Sequence, residues 1–525
     1  MRSIGTAVSV AAMCACSGLA AAQLRIANWN VTNYTGGRVA EFQTAIYGVV
    51  PATLALEGKR FAPDVILGEE FNTAAGVTAF VNLLNTAPGS PADWAAAPFI
   101  DGPDTDCGFF YRTSKVQYLG TVIISQATGS TALPPRHTYR YDFRLVGYGN
   151  TPATSFGSIA THMKAGSAST DQDRRLLEAN KVRDNCNGID TNGAGTALPA
   201  GWNYLIGGDF NIQSSSQAAY IRMVGSEADN DGRFWDPISS PGSWNNSGAY
   251  RFIHTQDPST TGSGGMDDRY DIILLGNSFF NGAGVEYIGN KALTYSTTTW
   301  NDPNHSYRCW GNDGTSFNLS MTTSGNTMVG AAIAQALVTT TNAGSTSGGH
   351  LPVFLDVKVP AKVTSETVLN FGSVNVGDLA VQTLNVSNNG NVSLWTANGI
   401  ADLNYSMSVT TGFSVPSGPF IDGPAVGGNA HTVTMDTSTA GPRSATLTIT
   451  SEDPDQPSRL VTLFGEVLGA SCPADFNNDG EVNFFDYLDF VDAFSANDPS
   501  GDFNQDSEIN FFDYLDFVDA FSAGC

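Results

Sequence analysis

The segment LIGGDFNI, residues 205–212, places an acid and an amide directly after a predicted buried strand. The apolar run at 204–206 indicates the end of that strand, and the two glycines allow the backbone to turn sharply. Residues two apart in an extended chain share a face, so Asp209 and Asn211 are predicted to point the same way. A carboxylate beside an amide can hold a divalent cation or a water molecule against a phosphate oxygen. The alternative is an Asx turn without chemistry.

Two earlier strands are predicted to end in residue types that bind metals. Residues 24–31 alternate apolar and polar side chains, which predicts a strand that reaches Asn30. Residues 63–68 predict a buried strand, and Glu69 and Glu70 follow it. A terminal glutamate is usually only solvated, but this strand is built like the one at 204–206. Carboxylate and amide oxygens are ligands that Mg²⁺ accepts.

Two histidines and a further aspartate complete the candidate catalytic set. His162 follows the apolar run 155–161, and a single histidine there is more often structural. Asp271 begins a predicted strand, and His350 precedes another at 353–359. An aspartate beside a histidine orients the imidazole and raises its pKa, which suits proton transfer. Polar residues gathered at strand ends are typical of a layered enzyme of sheets and helices.

Six short stretches occur in a fixed order along the chain: IANWN, PDVILGEEF, IATHMKAG, IGGDFNIQ, DRYDIILL and GGHLPV. With this order and spacing, residues 24–359 resemble the endonuclease/exonuclease/phosphatase superfamily. The resemblance implies an α+β, four-layer, deoxyribonuclease I-like sandwich over 23–360, with two packed sheets flanked by helices. It also implies metal-dependent hydrolysis of phosphate ester bonds.

The resemblance assigns the metal site. Glu70 would be the principal ligand of Mg²⁺ or Mn²⁺, with Asn30 belonging to the same site, and Glu69 stands where the family usually has Gln. The family normally has Asp immediately before its final histidine, and here that residue is Gly349. This departure puts a second or tighter metal site in doubt, and the sequence leaves open whether Asp267 or Asp268 compensates.

The resemblance also assigns the catalytic roles. His162 would bind phosphate or assist the leaving group. Asp209 would position or deprotonate the attacking water, and Asn211 would hold the scissile phosphate. Asp271 would orient His350, the general acid/base.

A second module is predicted at 363–468, where short alternating strands are separated by Gly, Asn, Ser and Pro. Residues 445–450 alternate apolar residues with Thr, as in a half-buried strand of a β-sandwich. The phrases LNFGSVNVG, LNVSNNGN and GPRSATLTITSEDPDQP resemble Ig-like domains of the abnormal-spindle/hydin type. That resemblance implies a spacer or binding module.

The tail, residues 472–525, contains an internal repeat whose copies begin at Asp475 and Asp502. Each copy opens with oxygen-bearing residues at the spacing of a calcium loop. The predicted Ca²⁺ ligands are Asp475, Asn477, Asp479, Asn483 and Asp486, with the Glu481 carbonyl, and Asp502, Asn504, Asp506, Asn510 and Asp513, with the Glu508 carbonyl.

The repeat resembles a type I dockerin, a small α-helical module with duplicated calcium loops. Ser507 stands where the loop usually has Gly, and the positions that select cohesin hold Phe484-Phe485 and Phe511-Phe512. Those aromatic pairs could be core or a docking face. The resemblance implies attachment to a cohesin-like or cell-surface scaffold protein.

Charge is unevenly distributed. Residues 23–360 carry 28 acidic and 21 basic residues, whereas 472–525 carry 13 acidic and none basic, so no broad nucleic-acid footprint is evident. Arg174 and Arg175, on a predicted helix at 171–185, could contact phosphate, but a solvated helix face is the interpretation we favour.

Residues 1–22 read as a signal peptide, because Arg2 precedes an apolar run that ends in Ala20-Ala21-Ala22. No later stretch approaches the ~20 apolar residues of a transmembrane segment. We therefore expect a secreted protein, extracellular or associated with the cell surface. In that setting Cys472 and Cys525 form the favoured disulfide, and Cys186 with Cys309 is a second candidate pair.

The preferred hypothesis is a secreted, divalent-metal-dependent phosphodiesterase, an extracellular nuclease tethered by its tail. The alternatives are a phosphatase, a sphingomyelinase-like lipid phosphodiesterase, or a non-catalytic surface protein on the same fold, which Gly349 and the accessory modules favour.

Overall fold

The structure, a computed structural model, describes residues 24–259, 264–282, 284–341, 349–388, 399–424, 427–469 and 472–524. The predicted signal peptide at 1–22 lies outside the described residues. Among those described, no helix is both long and apolar enough to cross a bilayer.

The first region contains two facing β-sheets. The first sheet has the order β10-β12-β1-β2-β4-β3, with β11 also paired to β12: β1 Leu24–Tyr34, β2 Val65–Phe71, β3 Trp94–Ala96, β4 Asp106–Arg112, β10 Glu286–Tyr287, β11 Arg308–Cys309 and β12 Val353–Lys358. The second has the order β5-β6-β7-β8-β9: β5 Val116–Ser125, β6 Thr138–Leu145, β7 Ser155–His162, β8 Asn203–Asp209 and β9 Asp271–Leu275.

Five helices cover the outer faces of these sheets. Three accompany the first sheet: α1 Val39–Tyr47, α2 Ala74–Thr86 and α5 Ala331–Thr340. Two pack on the second: α3 Ser169–Cys186 and α4 Ala218–Val224. Leu67 and Phe143 belong to the core between the sheets, and Val182 and Met223 to the core beneath α3 and α4. The predicted order of helix, sheet, sheet, helix is therefore present.

The strand directions bring several strand ends to one edge of the sandwich. β1 runs parallel to β2, and β7 runs parallel to β8, so each pair ends at a common edge. β9 and β12 run antiparallel to β8 and β1, so their first residues lie at that same edge. Polar residues at these ends are thus neighbours in space although they are far apart in sequence.

The described residues between 363 and 468 form two further sheets. One has the order β13-β15-β19-β17: β13 Val363–Ser365, β15 Ala380–Asn388, β17 Phe413–Ser414 and β19 Asn429–Met435. The other has the order β14-β21-β20-β16-β18: β14 Val368–Asn375, β16 Leu403–Val409, β18 Phe420–Asp422, β20 Gly441–Ser451 and β21 Ser458–Leu468. Ala445, Leu447 and Ile449 of β20 are buried between them, as their period-two spacing predicts. The Ig-like assignment stays a prediction.

The two regions are in direct contact. Val359 pairs with Ile400, and Ile400 packs within the core of the first region. Lys362 Nζ donates to the Gly147 carbonyl at 2.7 Å, and Asp455 Oδ1 accepts from Gly149 N at 2.8 Å. These contacts hold the β-sandwich against the first region instead of leaving it on a free linker.

The tail consists of two equivalent loop-helix units, with helices α6 Phe484–Ser495 and α7 Phe511–Ala523. Each helix begins with a capping box, which pairs Asn483 with Asp486 in one unit and Asn510 with Asp513 in the other. Phe490 and Phe517 stack between the helices with ring centroids 4.0 Å apart. The dockerin assignment stays a prediction.

One predicted disulfide pair is wrong. Cys107, Cys186 and Cys309 are free and buried. Cys186 lies in the core beneath α3 and Cys309 in the core between the sheets, whereas a disulfide needs Cα atoms within about 7 Å. Cys472 is disulfide-bonded, and Cys525 lies outside the described residues.

Ser507 has a left-handed backbone at φ 74°, as its counterpart Gly480 does at φ 90°. That conformation costs a non-glycine residue about 1–2 kcal/mol, and glycine gives back about 0.5–1 kcal/mol as chain entropy. We therefore expect Ser507→Gly to stabilise the second loop by about 0.5–1 kcal/mol. Hydrogen exchange of the α7 amides in the calcium-treated full chain measures this change. Gly480→Ser is the matched control and should destabilise α6 similarly, and equal exchange in Ser507→Gly and the parent would contradict the prediction.

Candidate active site

The register of the second sheet brings three predicted residues side by side. His162, the last residue of β7, pairs with Asp209, the last residue of β8. Asp209 pairs in turn with Asp271, the first residue of β9. All three are buried, so the sheet fixes an imidazole and two carboxylates at one edge.

A distortion in β2 brings Glu70 to the same edge. Strict alternation would send the Glu69 and Glu70 side chains to opposite faces of the sheet. The pairing of β2 shifts register between Gly68 and Phe71, and Glu70 has φ 65°, so the strand is re-aimed there. Glu70 Oε2 then accepts from Asn33 N at 2.8 Å, and Glu70 Oε1 lies 4.0 Å from His162 Nδ1.

The two histidines lie on either side of one aspartate oxygen. His162 Nε2 is 3.4 Å from Asp209 Oδ2, and His350 Nε2 is 3.6 Å from the same oxygen. The other ring nitrogen of His350, Nδ1, lies 2.7 Å from Asp271 Oδ2. Trp29 Nε1 donates to the His350 carbonyl at 3.1 Å and fixes the backbone of this residue against β1. The predicted Asp–His pair is therefore formed and extends to Asp209.

Asn30 links two of the carboxylates, and Asn211 contacts the backbone next to His162. Asn30 Nδ2 donates to Glu70 Oε1 at 3.0 Å and to Asp209 Oδ2 at 3.2 Å. Asn30 Oδ1 accepts from Thr32 N at 3.0 Å, so the amide group of Asn30 faces the carboxylates with its NH₂. Asn211 Nδ2 donates to the Met163 carbonyl at 3.1 Å.

The Asx turn that the competing interpretation requires is also present, because Asn211 N donates to Asp209 Oδ1 at 3.1 Å. That turn occupies Oδ1, whereas Oδ2 is the oxygen that lies beside both histidines. The turn and the candidate site therefore use different oxygens of one carboxylate.

Burial and neighbouring charges separate the protonation states of these groups. Burial lowers the pKa of His350, but the Asp271 and Asp209 carboxylates outweigh burial and raise it to about 10. Burial lowers the pKa of His162 well below its usual value, and the positive charges of Arg136 and His350 act in the same direction. Burial raises the pKa of Asp209 to about 6, against the opposing effect of His350. These opposite shifts favour the charged form of His350 and the neutral form of His162.

Two buried polar residues lie beneath the site: Glu69, which sequence reasoning named without giving it a role, and Asn28, which it missed. Glu69 is 0% exposed, and neither of its carboxylate oxygens has a hydrogen-bond partner. Asn28 is also buried with both side-chain polar atoms unpartnered. Burial raises the pKa of Glu69 well above its usual range, and the charges of Asp271 and Asp209 reinforce that effect. The position of Asn28, two residues before Asn30 in a strand, was the available signal, because such residues share a face.

The donor set fits a divalent cation. Glu69, Glu70, Asp209 and Asp271 gather at one edge, and no lysine or arginine in the described part of the chain lies within ion-pair distance of their carboxylates. Buried carboxylates normally need a cationic partner. Glu70 offers the hard oxygen ligands that Mg²⁺ and Mn²⁺ prefer, whereas Asn30 contacts Glu70 through its NH₂ group and its Oδ1 faces Thr32 N.

Gly349 leaves no space for a side chain before His350. A Cβ there would overlap Thr341 Cβ, so packing excludes the aspartate that the resemblance would supply. Gly349 N donates to the buried Asp257 Oδ1 at 2.7 Å.

Asp268 is one of the two residues that the sequence offered as a substitute for the missing aspartate. Burial raises the pKa of Asp268 to about 6, and Asn245 Nδ2 donates to this carboxylate at 2.7 Å.

A cleft of about 510 Å³ opens elsewhere, and none of the predicted catalytic residues line it. Its walls are formed by Arg251, Phe252, Thr298, Thr299, Trp300, Asp313, Gly314, Thr315, Phe317 and Thr327. The candidate site is therefore identified by its chemistry and not by the depth of a cavity.

No protein-family model matches the chain, and no curated protein matches it. Among solved structures, the chain is similar to an endonuclease/exonuclease/phosphatase family protein from Bacteroides thetaiotaomicron, at 14% identity and TM-score 0.33, over 64% of this chain and 94% of that one. It is also similar to a mannosyl-6-phosphatase of the same species, at 14% identity and TM-score 0.32, over 64% and 99% of the two chains. Sphingomyelinase C from Streptomyces griseocarneus gives 13% identity and TM-score 0.33, over 64% and 99%.

The packing around Gly349 predicts the cost of a side chain there. We expect Gly349→Ala to destabilise the chain by about 1–3 kcal/mol, because the added methyl overlaps Thr341. Chemical denaturation of the full chain measures this loss. Gly120→Ala is the control, since a Cβ at Gly120 meets nothing within 4 Å, and equal stability of the two variants would contradict the prediction.

Proposed function

We propose that the chain is a divalent-metal-dependent hydrolase of phosphate esters from the endonuclease/exonuclease/phosphatase superfamily. The observation that carries this proposal is the position of Asp209 Oδ2, 3.4 Å from His162 and 3.6 Å from His350, with Asp271 on the far nitrogen of His350. An acid, a base and a neutral hydrogen-bond donor then converge on one point. General acid–base hydrolysis of a phosphoester uses such groups together.

Glu70 and Asn30 would hold the cation, Mg²⁺ or Mn²⁺. Asn30 Oδ1 accepts from Thr32 N and keeps a second lone pair for a ligand. When bound, the cation would neutralise charge that develops on the phosphoryl oxygens.

The residues of the chain account for the proton movements. A water oxygen attacks phosphorus, and Asp209 orients that water and takes its proton. His350 is charged, and its Nε2 proton passes to the departing ester oxygen as the P–O bond breaks. Asp271 holds Nδ1 of His350 at 2.7 Å and keeps the ring in that orientation. His162 is neutral and donates to a phosphate oxygen, and Asn211 contacts the same group through its amide.

Nucleic acid is the first candidate substrate, and an extracellular nuclease is the specific function we propose. A second candidate is a small phosphate ester or a lipid headgroup, cleaved by a phosphatase or sphingomyelinase-like activity. The charge near the site favours this second candidate. Arg136 pairs with Asp104 at 3.1 Å and Lys164 with Asp171 at 3.2 Å, so these cations are already partnered by carboxylates.

The tail supports a proposed location outside the cell. The carboxylates of Asp475, Asp479 and Asp486 offer oxygens within 4.8 Å of one another, as a calcium loop requires. The two aromatic pairs, Phe484-Phe485 and Phe511-Phe512, are 64–65% exposed and so belong to the surface and not to the core. We propose that the leader exports the chain and that the calcium-loaded tail attaches it to a cohesin-like or cell-surface scaffold protein.

The proposed activity predicts hydrolysis that depends on metal and on His350. We expect the full chain to cleave at least one of DNA, RNA, sphingomyelin or sugar and inositol phosphates with Mg²⁺ or Mn²⁺, and to lose that activity with a chelator. Asp209→Asn and His350→Gln should each lower kcat about 100-fold or more. His431→Gln, a buried histidine of the β-sandwich, is the control and should leave kcat unchanged. A folded parent chain that cleaves none of these substrates would favour the non-catalytic alternative.

Calcium binding gives a separate prediction for the tail. Asp486 is buried and faces Asp475 and Asp479, so Asp486→Ala should remove one calcium equivalent from the full chain in calorimetry. Asp489→Ala, a substitution in the same helix outside the loop, should bind as many equivalents as the parent. If Asp486→Ala binds as many calcium equivalents as the parent, the assignment of this loop as a calcium site is wrong.

A further inference from the structure

Helix α3 buries charged side chains where an amphipathic helix normally buries apolar ones. Arg175 and Arg183 are 0% exposed, and Glu178 is 1% exposed. A buried guanidinium is costly unless its donors are satisfied, so its contacts explain why it is there. The sequence prediction of a solvated helix face is wrong for Arg175, and the neighbouring Arg174 donates through Nε to the Leu133 carbonyl.

Arg175 donates chiefly to the loop that connects His162 to α3. Arg175 Nη1 donates to the Lys164 carbonyl at 2.5 Å and to the Gly166 carbonyl at 2.9 Å. Arg175 Nη2 donates to Gln217 Oε1 at 3.0 Å. No carboxylate lies within ion-pair distance of this guanidinium in the described ranges. Its polar contacts therefore fix the backbone of residues 164–166.

That loop holds the candidate catalytic groups. Met163 lies between His162 and the two residues that Arg175 contacts. The Met163 carbonyl accepts from Asn211 Nδ2 at 3.1 Å, and Met163 N donates to the Asp209 carbonyl at 2.9 Å. A displacement of residues 164–166 would therefore move the acceptor that orients the Asn211 amide.

Helix α3 also holds the chain just before His162. Glu178 Oε1 accepts from Thr161 Oγ1 and from Thr138 Oγ1, the latter at 2.6 Å. Arg175 and Glu178 are three residues apart and share a helix face. Helix α3 thus contacts β7 immediately before His162, through Glu178, and the loop immediately after His162, through Arg175.

We propose that Arg175 is a positioning residue, which clamps residues 164–166 so that the Met163 carbonyl holds the Asn211 amide in place for the reaction. The effect on catalysis rests on the proposed function. The clamp itself is a property of the loop and can be measured without substrate.

The first test compares two buried arginines of the same helix in the full chain. Arg175→Met removes the loop contacts. Arg183→Met is the matched control, because Arg183 is equally buried but donates to the Met223, Gly225 and Asp229 carbonyls, away from the site. Both variants should lose stability. Only Arg175→Met should expose the loop, so that trypsin cleaves after Lys164 at least 10-fold faster than in the parent.

The second test is a double-substitution cycle on kcat. Arg175→Met should lower kcat about 10-fold or more with little change in KM, and Arg183→Met should not. In an Asn211→Ala background, the effect of Arg175→Met should shrink below about twofold, because the two residues act through one contact chain. Arg175→Lys keeps the charge but not the forked geometry and should lie between the parent and Arg175→Met.

Several results would overturn the clamp. Cleavage after Lys164 that is no faster in Arg175→Met than in Arg183→Met would do so, as would effects on kcat that simply multiply in the double variant. If Arg175→Met does not fold, Arg175→Lys takes its place in both tests. If the parent chain hydrolyses no phosphate ester, the proposed function fails, and the tryptic comparison alone decides for or against the clamp.

Discussion

Repulsion among buried carboxylates is the constraint that shapes the candidate site. Glu69, Asp209 and Asp271 are buried at one edge of two sheets, with the partly exposed Glu70 beside them, and burying an uncompensated charge costs several kcal/mol. His350 offsets part of this cost, because its two ring nitrogens lie 2.7 Å from Asp271 and 3.6 Å from Asp209. Burial and its neighbours raise the pKa of Glu69, which favours its uncharged form. The remaining negative charge lies around Glu70, where a cation would relieve it.

The backbone at the site is also held in unfavourable conformations. Thr32, Asn33, Glu70 and Asn211 all have positive φ, between 47° and 65°. Such residues cost about 1 kcal/mol or more each and persist where surrounding contacts over-determine them. The contacts are present, because Thr32 N and Asn33 N donate to the side chains of Asn30 and Glu70. The same hydrogen bonds that fix the ligand oxygens therefore also hold the strained backbone.

The sequence could predict which residues meet but not how each is held. Apolar runs followed by Asp209, His162 or Glu70 are local patterns, and parallel pairing carries their ends to one edge. The bulge that re-aims Glu70 is different, because it depends on pairing with β1 and β4 and leaves no mark in the apolar pattern. The burial of Arg175 depends on carbonyls of a loop and on Gln217, contacts that charge patterning cannot reveal.

The attachment of the β-sandwich lies at the end of the first region opposite the site. Val359 follows β12, whose first residues adjoin His350, and Gly149 precedes β7, which ends at His162. Strands of six to eight residues span roughly 20 Å, so about that distance separates the joint from the histidines. Because Ile400 packs into the first core at this far end, the β-sandwich is fixed without covering the catalytic edge. A module anchored in this way leaves the candidate site open to solvent.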